Sequence, residues 1–543
     1  MKCFVRDNLA FLTVGALLVA YVALCTRWRD SKLGADAWEH HRTIVALVDD
    51  LWHPGNPTYA TDDTSIRFSP YSVTLALICR ATGWTPYDVL SGAAVFNTLL
   101  LVAGVWCLLH EFGEEASAAA VLVVMVGLYG EAPGYANSYA LADLPWHQVN
   151  PSAFAFGITL FAWVLFLRAG RTGPGVLAVS VLVGVAMLDH GMTGQFTLLG
   201  LLLFVLSVPS QRGFRAVLNL MLVAAGTAAV CVVWPWYSFL HAARLRPDND
   251  YWFNPYILRS MLTVWAWPAY LCGLAALSVR RPLVRTCLLG AVVSFTIAVV
   301  AFVLRSPTLA RLPMPAMIFL HIPIGIFCCE HAVFRPSTWP RRLRALLKAE
   351  DSALYPAIVS TMVALIYWGS LAPQLIEVAT TPFLARPYLA PLVGKPTKLV
   401  RYRALLDELL SRIGRHDVVL SDRETSWMIP SSRGRIVAAL HLEFFVKGQA
   451  ERAADLEDFF NEATSDNRRL EILRKYHVRW IVLNSAKLPP RVVETLMVPA
   501  GVVASVDTLT LLDAEVWARH LPSRAASDKA TANPSRPQPA IVP

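Results

Sequence analysis

The ionisable residues that could carry chemistry are concentrated in one short stretch of an apolar sequence. In Asp36-Ala-Trp-Glu-His-His-Arg42, the carboxylate of Asp36 lies four residues before the imidazole of His40. If a helix begins at Asp36, the two side chains lie on one face of it, because residues four apart are neighbours on a helix surface. A carboxylate oriented by an imidazole can take a proton from a hydroxyl group. We therefore predict Asp36, Glu39 and His40 as catalytic residues.

The same carboxylates also suit a metal ion. Oxygen ligands of this type favour Mg²⁺ or Mn²⁺, and Asp36 and Glu39 could be the ligands. A third interpretation needs no ligand: Asp36 caps an interfacial helix, and the histidines lie among lipid headgroups. The density of ionisable groups in this stretch favours a site over a cap. The residues leave the choice between general base and metal ligand open.

The composition of the whole chain predicts a membrane protein. Of its 543 residues, 55% are hydrophobic and only 16% are charged, whereas soluble domains carry about 25% charged residues. The mean hydropathy is +0.47. These values exclude a disordered protein, a nucleic-acid-binding module and a soluble enzyme with one short anchor. The nine cysteines lie mostly in apolar runs without metal-binding spacing, so they predict neither a disulfide framework nor a zinc site.

Apolar runs along the chain predict about eleven transmembrane helices, since about 20 helical residues cross a hydrocarbon core of about 30 Å. The runs are 8–26, 86–110, 117–131, 152–168, 174–188, 195–209, 216–240, 256–279, 284–304, 312–332 and 353–374. We expect a polytopic α-helical membrane domain over residues 1–380 and a small extracytoplasmic α/β domain over 395–520. The tail, 521–543, is rich in Ser, Ala and Pro and is expected to be disordered.

The distribution of Lys and Arg predicts the orientation of the chain. With a cytoplasmic N-terminus, basic residues collect in the inside loops, so the net charge of +9 reflects topology rather than nucleic-acid binding. An odd number of spans then places the C-terminal domain outside. The first outside loop, 27–85, is the exception, and we assign the active site to it. Its basic residues include Arg27, Arg29, Lys32, Arg42 and Arg67.

Basic residues on the outer side predict a phosphate-binding site. Guanidinium groups bind phosphate in a bidentate manner and keep their charge in any environment. Arg305 and Arg311 lie in a short outside loop, where they could hold a lipid phosphate; the alternative is that they reach the headgroups without binding a ligand. Because the positive-inside rule disfavours arginines here, we favour phosphate binding and assign Arg42 and Arg67 to the same role.

Three further residues are candidates for contacts with a substrate. Asp143 and His147 lie in an outside loop free of Lys and Arg, where they could add a carboxylate and an imidazole to the same cavity. His190, with Asp189 before it, interrupts an apolar region between two short spans. Ionisable groups at that depth mark polar cavities. A solvated loop and a plain outside turn are the alternatives.

The pattern Asp-x-aromatic-x-His-x-Arg, from Asp36 to Arg42, directly follows the first apolar span. It resembles the first-loop motif of the GT-C glycosyltransferases, with the oligosaccharyltransferase catalytic subunits as the nearest pattern. Many spans, an outside first loop with an acidic residue and a C-terminal soluble domain extend this resemblance over the chain. It implies a polyprenyl-phosphate-linked sugar donor, an inverting reaction and a catalytic or metal-binding role for Asp36. His190 is similar to a histidine that these proteins often have.

Two departures separate the chain from oligosaccharyltransferases. The second outside loop, Glu131 to Pro151, has no Asp-x-Asp or Glu-x-Asp pair, and the C-terminal domain has no Trp-Trp-Asp-Tyr-Gly motif. Transfer to Asn-x-Ser/Thr is therefore not expected.

These observations predict an enzyme of the cell (inner) membrane that moves a sugar from a polyprenyl-phosphate-linked donor to a glycan, lipid or protein acceptor. The transfer is expected on the extracytoplasmic side. Membrane lipids are expected as further partners, and no nucleic-acid partner is expected. Two other classes are alternatives: a transporter or flippase of lipid-linked glycans, and a non-catalytic envelope-assembly protein. A transporter predicts ionisable residues near mid-bilayer and inverted repeats, whereas the polar groups here cluster at one face.

Overall fold

The computed structural model describes residues 8–27, 36–129, 139–170, 172–244, 281–304, 309, 311–329, 409–432, 434–439, 443 and 445–520. The chain divides into two units. The helical unit comprises Met1–His53 and Ile66–Thr397, and the sheet unit comprises Pro54–Ser65 and Lys398–Pro543. Several predicted features lie outside the described residues: the spans 256–279 and 353–374, the tail 521–543 and Arg305.

Apolar runs of the sequence form most helices of the helical unit. The described helices are α1 (Leu9–Arg27), α2 (Asp36–Asp49), α3 (Pro70–Thr82), α4 (Pro86–Glu111), α5 (Ala118–Gly127), α6 (Leu144–His147), α7 (Pro151–Ala169), α8 (Gly173–Asp189), α9 (Gly191–Ser207), α10 (Phe214–Val232), α11 (Phe239–Arg244), α12 (Pro282–Val303), α13 (Pro313–Ala316) and α14 (Ile318–Phe327). Helices α3, α4, α7 and α12 begin with proline. Proline suits this position because its missing N–H would have no partner in the helix.

Five of the described helices are long and apolar enough to cross a membrane: α1, α4, α7, α10 and α12. Shorter apolar helices, among them α8 and α9, accompany them. The chain is therefore a helical membrane protein with a small sheet unit, as predicted. The total of about eleven spans stays a prediction.

Close contact between α7 and α9 shows how the helical unit packs. A Cβ atom at Gly200 would lie 2.2 Å from the ring of Trp163, so only glycine allows this approach. The indole N–H of Trp163 donates to the carbonyl of Thr197 at 3.0 Å, and the hydroxyls of Thr159 and Thr197 are 2.6 Å apart. Small and hydroxyl-bearing residues of this kind are typical of helix contacts within membranes.

The sheet unit is built on a five-stranded sheet, in agreement with the predicted α/β character of the C-terminal region. Its strands are β1 (Val418–Ser421), β2 (Arg435–Ile436), β3 (Val478–Asn484), β4 (Val502–Val506) and β5 (Leu509–Asp513). The order is β2-β1-β3-β5-β4, in which β1 is parallel to β2 and β3, and β5 is antiparallel to β3 and β4. The described helices of this unit are α15 (Arg423–Ser432), α16 (Gln449–Phe459), α17 (Asp466–Lys475) and α18 (Pro490–Leu496).

A segment of the first loop, Pro54–Ser65, belongs to the sheet unit. Tyr59 forms a parallel bridge with Ile436 of β2. The N–H of Ala60 donates to the carbonyl of Ile436, and the N–H of Ile436 donates to the carbonyl of Thr58, both at 3.0 Å. The Tyr59 side chain is 1% exposed and lies in the core of the sheet unit. Sequence analysis assigns the whole loop to one segment and does not anticipate this insertion.

We predict that Tyr59→Ala destabilises the sheet unit by about 3–5 kcal/mol, because removing a fully buried aromatic side chain leaves a cavity. The exposed neighbour Asp62 provides the control Asp62→Ala, for which we expect a change within about 0.5 kcal/mol. Proteolysis of the full-length protein in detergent at increasing urea concentration measures the opening of the unit. Equal resistance of the two variants would contradict the buried position of Tyr59.

Candidate active site

Helix α2 carries four consecutive ionisable side chains, and all are buried. Glu39, His40, His41 and Arg42 expose between 5% and 7% of their surface. The helix packs against α3 and α4, and the ring of His41 stacks on the ring of Tyr87 with centroids 3.8 Å apart. Because an ionised group is costly to bury alone, each of these side chains must be neutral or have a partner.

An ion pair joins α2 to the segment before α3. The guanidinium of Arg67 pairs with the carboxylate of Glu39, which is 6% exposed. The start of α3 follows directly, with the hydroxyl of Ser69 accepting the N–H of Ser72 at 3.4 Å and Pro70 in the first turn. A cap of this kind determines where a helix begins. The Ser-Pro pair therefore determines where α3 begins, shortly after Arg67 in the chain.

His40 is in electrostatic contact with three other predicted site residues. Burial, and then the positive charge of Arg67, lowers the pKa of the His40 imidazole from 6.5 to about 3. Glu39 opposes this shift, and His190 adds to it. His40 is therefore neutral at pH 7. Glu39, Arg67 and His190 all act on the imidazole of His40, so the four residues form one group.

His190 lies in the turn between α8 and α9 and is the second imidazole of the group. Its Nδ1 atom is 2.7 Å from the hydroxyl oxygen of Thr193. Burial, with a smaller contribution from the guanidinium of Arg311, lowers the pKa of His190 from 6.5 to about 4. The group thus draws its residues from four places: α2, the segment before α3, the α8–α9 turn and the segment before α13.

The charges of the group suit an anion. Two guanidinium groups, those of Arg67 and Arg311, accompany the carboxylate of Glu39, while both imidazoles are neutral at pH 7. Guanidinium binds phosphate through charge-assisted hydrogen bonds, which are stronger than neutral ones. The arrangement can therefore hold a phosphate oxygen and stabilise negative charge as it develops there.

The metal site that the sequence allows includes Asp36, whose side chain lies outside the described part. Within them, no group of three His, Cys, Asp or Glu side chains is arranged to hold an ion. The carboxylate of Glu39 is paired with Arg67, and a guanidinium at that distance repels a cation. A Mg²⁺ or Mn²⁺ ion held by Asp36 and Glu39 stays a prediction, and no step below uses it.

The segment Trp234–Tyr237 ties the loops around the group together. Its three donors reach main-chain carbonyls: Trp234 Nε1 to Phe68 at 2.8 Å, Trp236 Nε1 to Leu51 at 2.7 Å and the Tyr237 hydroxyl to Leu188 at 3.1 Å. Phe68 is the residue after Arg67, Leu51 lies just after α2, and Leu188 lies near the end of α8. Hydrogen bonds from one rigid segment therefore hold three loops that each supply or adjoin a site residue.

Tyr71 connects several helices through hydrogen bonds, and sequence analysis does not identify this role. Its N–H donates to Oδ1 of Asp189 at 2.8 Å, and its hydroxyl donates to the carbonyl of Val149 at 2.9 Å. The amide nitrogen of Asn97, in α4, donates to the same hydroxyl at 3.3 Å. Tyr71 thus joins α3, α4, α8 and the segment before α7. The signal in the sequence is a polar residue, Asn97, in the middle of an apolar run.

The structure does not place the other predicted site residues, Asp36, Asp143, His147 and Arg305, in this group. Helix α2 begins at Asp36, one turn before His40, as predicted, but the side chain of Asp36 lies outside the described part. Asp143 and His147 lie at the two ends of α6, which packs against α1. Arg305 lies outside the described residues. The roles of all of these residues stay predictions.

No protein-family model matches the sequence, and no curated protein sequence matches it. Solved structures do match. The oligosaccharyltransferase of Archaeoglobus fulgidus, tethered to an acceptor peptide containing the NVT sequon, has a TM-score of 0.54 at 13% identity over 89% of this chain and 70% of that chain. ArnT from Cupriavidus metallidurans, bound to undecaprenyl phosphate, has a TM-score of 0.50 at 14% identity over 94% of this chain and 99% of that chain.

The chain has the GT-C fold. Oligosaccharyltransferase and ArnT are both GT-C glycosyltransferases. A further structure, that of the archaeal oligosaccharyltransferase AglB from Archaeoglobus fulgidus with an inhibitory peptide and a dolichol-phosphate, has a TM-score of 0.51 at 13% identity over 87% of this chain and 69% of that chain. The resemblance seen in the first-loop motif is thus confirmed at the level of fold.

We predict that Arg67→Ala destabilises the protein by about 2–4 kcal/mol, because it leaves the buried Glu39 carboxylate without its guanidinium. Removing one partner of a buried pair costs roughly 3–5 kcal/mol, and the 22% exposure of Arg67 reduces this. Thermal unfolding in detergent measures the effect, with the exposed Arg215 mutated to Ala as control.

Adding Glu39→Gln to the Arg67 variant should recover part of this loss, because the neutral amide replaces the carboxylate that the lost guanidinium left unpaired. A double variant that is less stable than Arg67→Ala would contradict a direct pairing of the two side chains.

We predict that the protein loses stability as the pH falls from about 6.5 towards 4. The folded-state pKa of His190 is about 4, below its ordinary value of 6.5. Between these values the unfolded chain binds a proton that the folded chain does not, so the free energy of unfolding decreases as the pH falls. His40 acts in the same direction. Unfolding midpoints between pH 4.5 and 7.5 should depend less on pH in His190→Gln; identical curves would contradict the shift.

Proposed function

We propose that this chain is a membrane glycosyltransferase that uses a polyprenyl-phosphate-linked sugar. It transfers the sugar to a glycan, lipid or protein acceptor on the extracytoplasmic side of the cell membrane. The observation that carries the proposal is the convergence of Glu39, His40, Arg67, His190 and Arg311 from four separate segments. The GT-C fold supports this assignment, since the similar structures are glycosyltransferases.

Arg67 and Arg311 are the proposed ligands of the donor phosphate, with His190 beside them. A guanidinium remains charged in any environment and matches two phosphate oxygens at once. The class of ligand is supported by the structures of similar fold, since AglB is in complex with a dolichol-phosphate and ArnT is bound to undecaprenyl phosphate. Arg42 and Arg305 belong to the same proposed basic surface.

Asp36 is the proposed general base. As the acceptor oxygen forms its bond to the anomeric carbon, its proton passes to the carboxylate of Asp36. The bond between that carbon and the phosphate oxygen breaks, and polyprenyl phosphate leaves with the electron pair. This single displacement inverts the configuration at the anomeric carbon. A phosphate leaving group needs charge stabilisation rather than a proton, and pre-positioned guanidinium groups supply it.

His40 is the proposed positioning residue for Asp36. It lies one turn further along α2, and its imidazole is neutral at pH 7. A neutral imidazole can orient a carboxylate by a hydrogen bond without neutralising it, so the carboxylate keeps its basicity. Glu39 is paired with Arg67 and therefore acts through the guanidinium. Asp143 and His147 are proposed to contact the acceptor.

The proposed orientation has the N-terminus in the cytoplasm and the site on the opposite face. The asymmetric distribution of Lys and Arg over the loops supports it. The five described helices that are long and apolar enough to cross a membrane support the membrane location.

The proposal predicts that Asp36→Asn impairs sugar transfer, whereas Arg311→Ala impairs binding of the lipid phosphate. Asp36→Asn should lower transfer by about 10²-fold or more, as expected for loss of a general base, and leave the binding of undecaprenyl phosphate intact. Arg311→Ala should weaken that binding by about tenfold or more, because a hydrogen bond to a charged group is lost. Binding is measured by titrating undecaprenyl phosphate into the full-length protein in detergent.

Transfer is measured by mass spectrometry as the consumption of lipid-linked sugars in membranes that contain the protein. Arg215→Ala, which removes an exposed arginine remote in sequence from the group, is the control for a general loss of positive charge. Full transfer by a correctly inserted Asp36→Asn variant would contradict the proposal. So would a wild-type protein that consumes no lipid-linked sugar.

A further inference from the structure

Three tryptophans lie in a row of ring contacts, called here the tryptophan stack. The ring of Trp52 is stacked on that of Trp236, with centroids 5.4 Å apart and an interplanar angle of 9°. The ring of Trp234 lies against Trp236 with centroids 4.7 Å apart and an interplanar angle of 39°. Trp52 is 65% exposed, whereas Trp234 and Trp236 are half-buried.

The stack is fixed by its polar atoms. The indole N–H groups of Trp234 and Trp236 donate to the carbonyls of Phe68 and Leu51 at 2.8 and 2.7 Å. In a membrane-interface belt, the polar end of an indole faces the headgroups and water. Here both N–H groups are used inside the protein, so these tryptophans do not have the arrangement of a belt. Trp236, with Trp234 behind it, therefore supports the ring of Trp52 from one side.

Acidic residues flank the exposed ring. Asp49 and Asp50 are both exposed and immediately precede Leu51 and Trp52. The Oδ1 atom of Asp50 accepts the N–H groups of Trp52 and His53 at 3.0 and 2.9 Å, which holds the backbone of Trp52 in place. Carboxylate oxygens accept hydrogen bonds from hydroxyl groups, and they repel the anionic headgroups of a lipid surface. An aromatic face beside carboxylates therefore suits a neutral, hydroxyl-rich ring.

We propose that Trp52, supported by Trp236 and Trp234, is a binding platform for a pyranose ring of the acceptor. The carbon–hydrogen face of the ring lies on the indole, and Asp49 and Asp50 accept its hydroxyl hydrogens. This inference rests on the proposed function and narrows its acceptor from glycan, lipid or protein to a saccharide. Trp234 donates to Phe68, the residue after Arg67, so the platform is tied to the segment that carries a proposed phosphate ligand.

The test measures saccharide binding by the full-length protein in nanodiscs of phosphatidylethanolamine and phosphatidylglycerol. Saturation-transfer NMR with mannotetraose, chitotetraose and galactotetraose as probes should detect binding of at least one of them to the wild type. Trp52→Ala should weaken that binding by about tenfold, the scale of one aromatic contact, and Trp52→Phe should keep most of it. Trp84→Ala is the matched control, since Trp84 is 57% exposed and not in the stack; it should bind like the wild type.

Three results would overturn the platform. The first is the absence of saturation transfer from the wild type to all three tetrasaccharides, and the second is equal transfer in Trp52→Ala. The third is strong quenching of Trp52 fluorescence by brominated phosphatidylcholine, read as the difference between the wild type and Trp52→Phe, which would place Trp52 in the bilayer interface. Trp52→Ala should bind undecaprenyl phosphate as the wild type does. A wild type that fails to bind undecaprenyl phosphate would contradict the proposed function instead, so the two failures are distinguishable.

Discussion

The pairing of Glu39 with Arg67 is the interaction on which the site depends. Burying one ionised group alone costs several kcal/mol, even after relaxation of the surroundings. The pair makes it possible to bury Glu39 at 6% exposure beside three further ionisable residues of the same helix. Burial is the main cause of the lowered pKa of His40, and the guanidinium of Arg67 adds to it. The same contact thus joins α2 to the next segment and helps to keep a neighbouring imidazole neutral.

An ion pair alone does not determine a geometry, because charges attract over a range of directions. Directional hydrogen bonds supply the rest in this protein. Tyr71 joins the start of α3 to Asp189 and to the segment before α7, and Trp236 fixes the chain just after α2. Ordering a loop costs about 1–2 kcal/mol per residue in backbone entropy, so several such bonds are needed where ionisable residues from separate loops must meet.

Local residue patterns are sufficient to predict helix α2 and strand β3. The first has a carboxylate at its start and ionisable residues at helical spacing, and the second is a run of apolar, β-branched residues at Val478–Asn484. The same patterns predict His40, Arg67, His190 and Arg311 as site residues, because ionisable groups stand out in an apolar sequence. They do not identify Tyr71 or Trp236 as supports, since the contacts of these residues depend on where distant helices meet. The insertion of Tyr59 into the sheet unit is hidden for the same reason.

The long-range contacts of the first-loop segment have a consequence for the synthesis of the chain. The hydroxyl of Ser65 donates to the carboxylate of Glu443 at 3.0 Å, although 378 residues separate them. At a translation rate of roughly 5–20 residues per second, roughly 20–75 s pass between the emergence of the two partners. During this time the first-loop segment Pro54–Ser65 has no strand with which to pair. Its polar sequence, Asn-Pro-Thr-Tyr-Ala-Thr-Asp-Asp, keeps the unpaired segment hydrated. The sheet unit can therefore assemble only after its later strands have been synthesised.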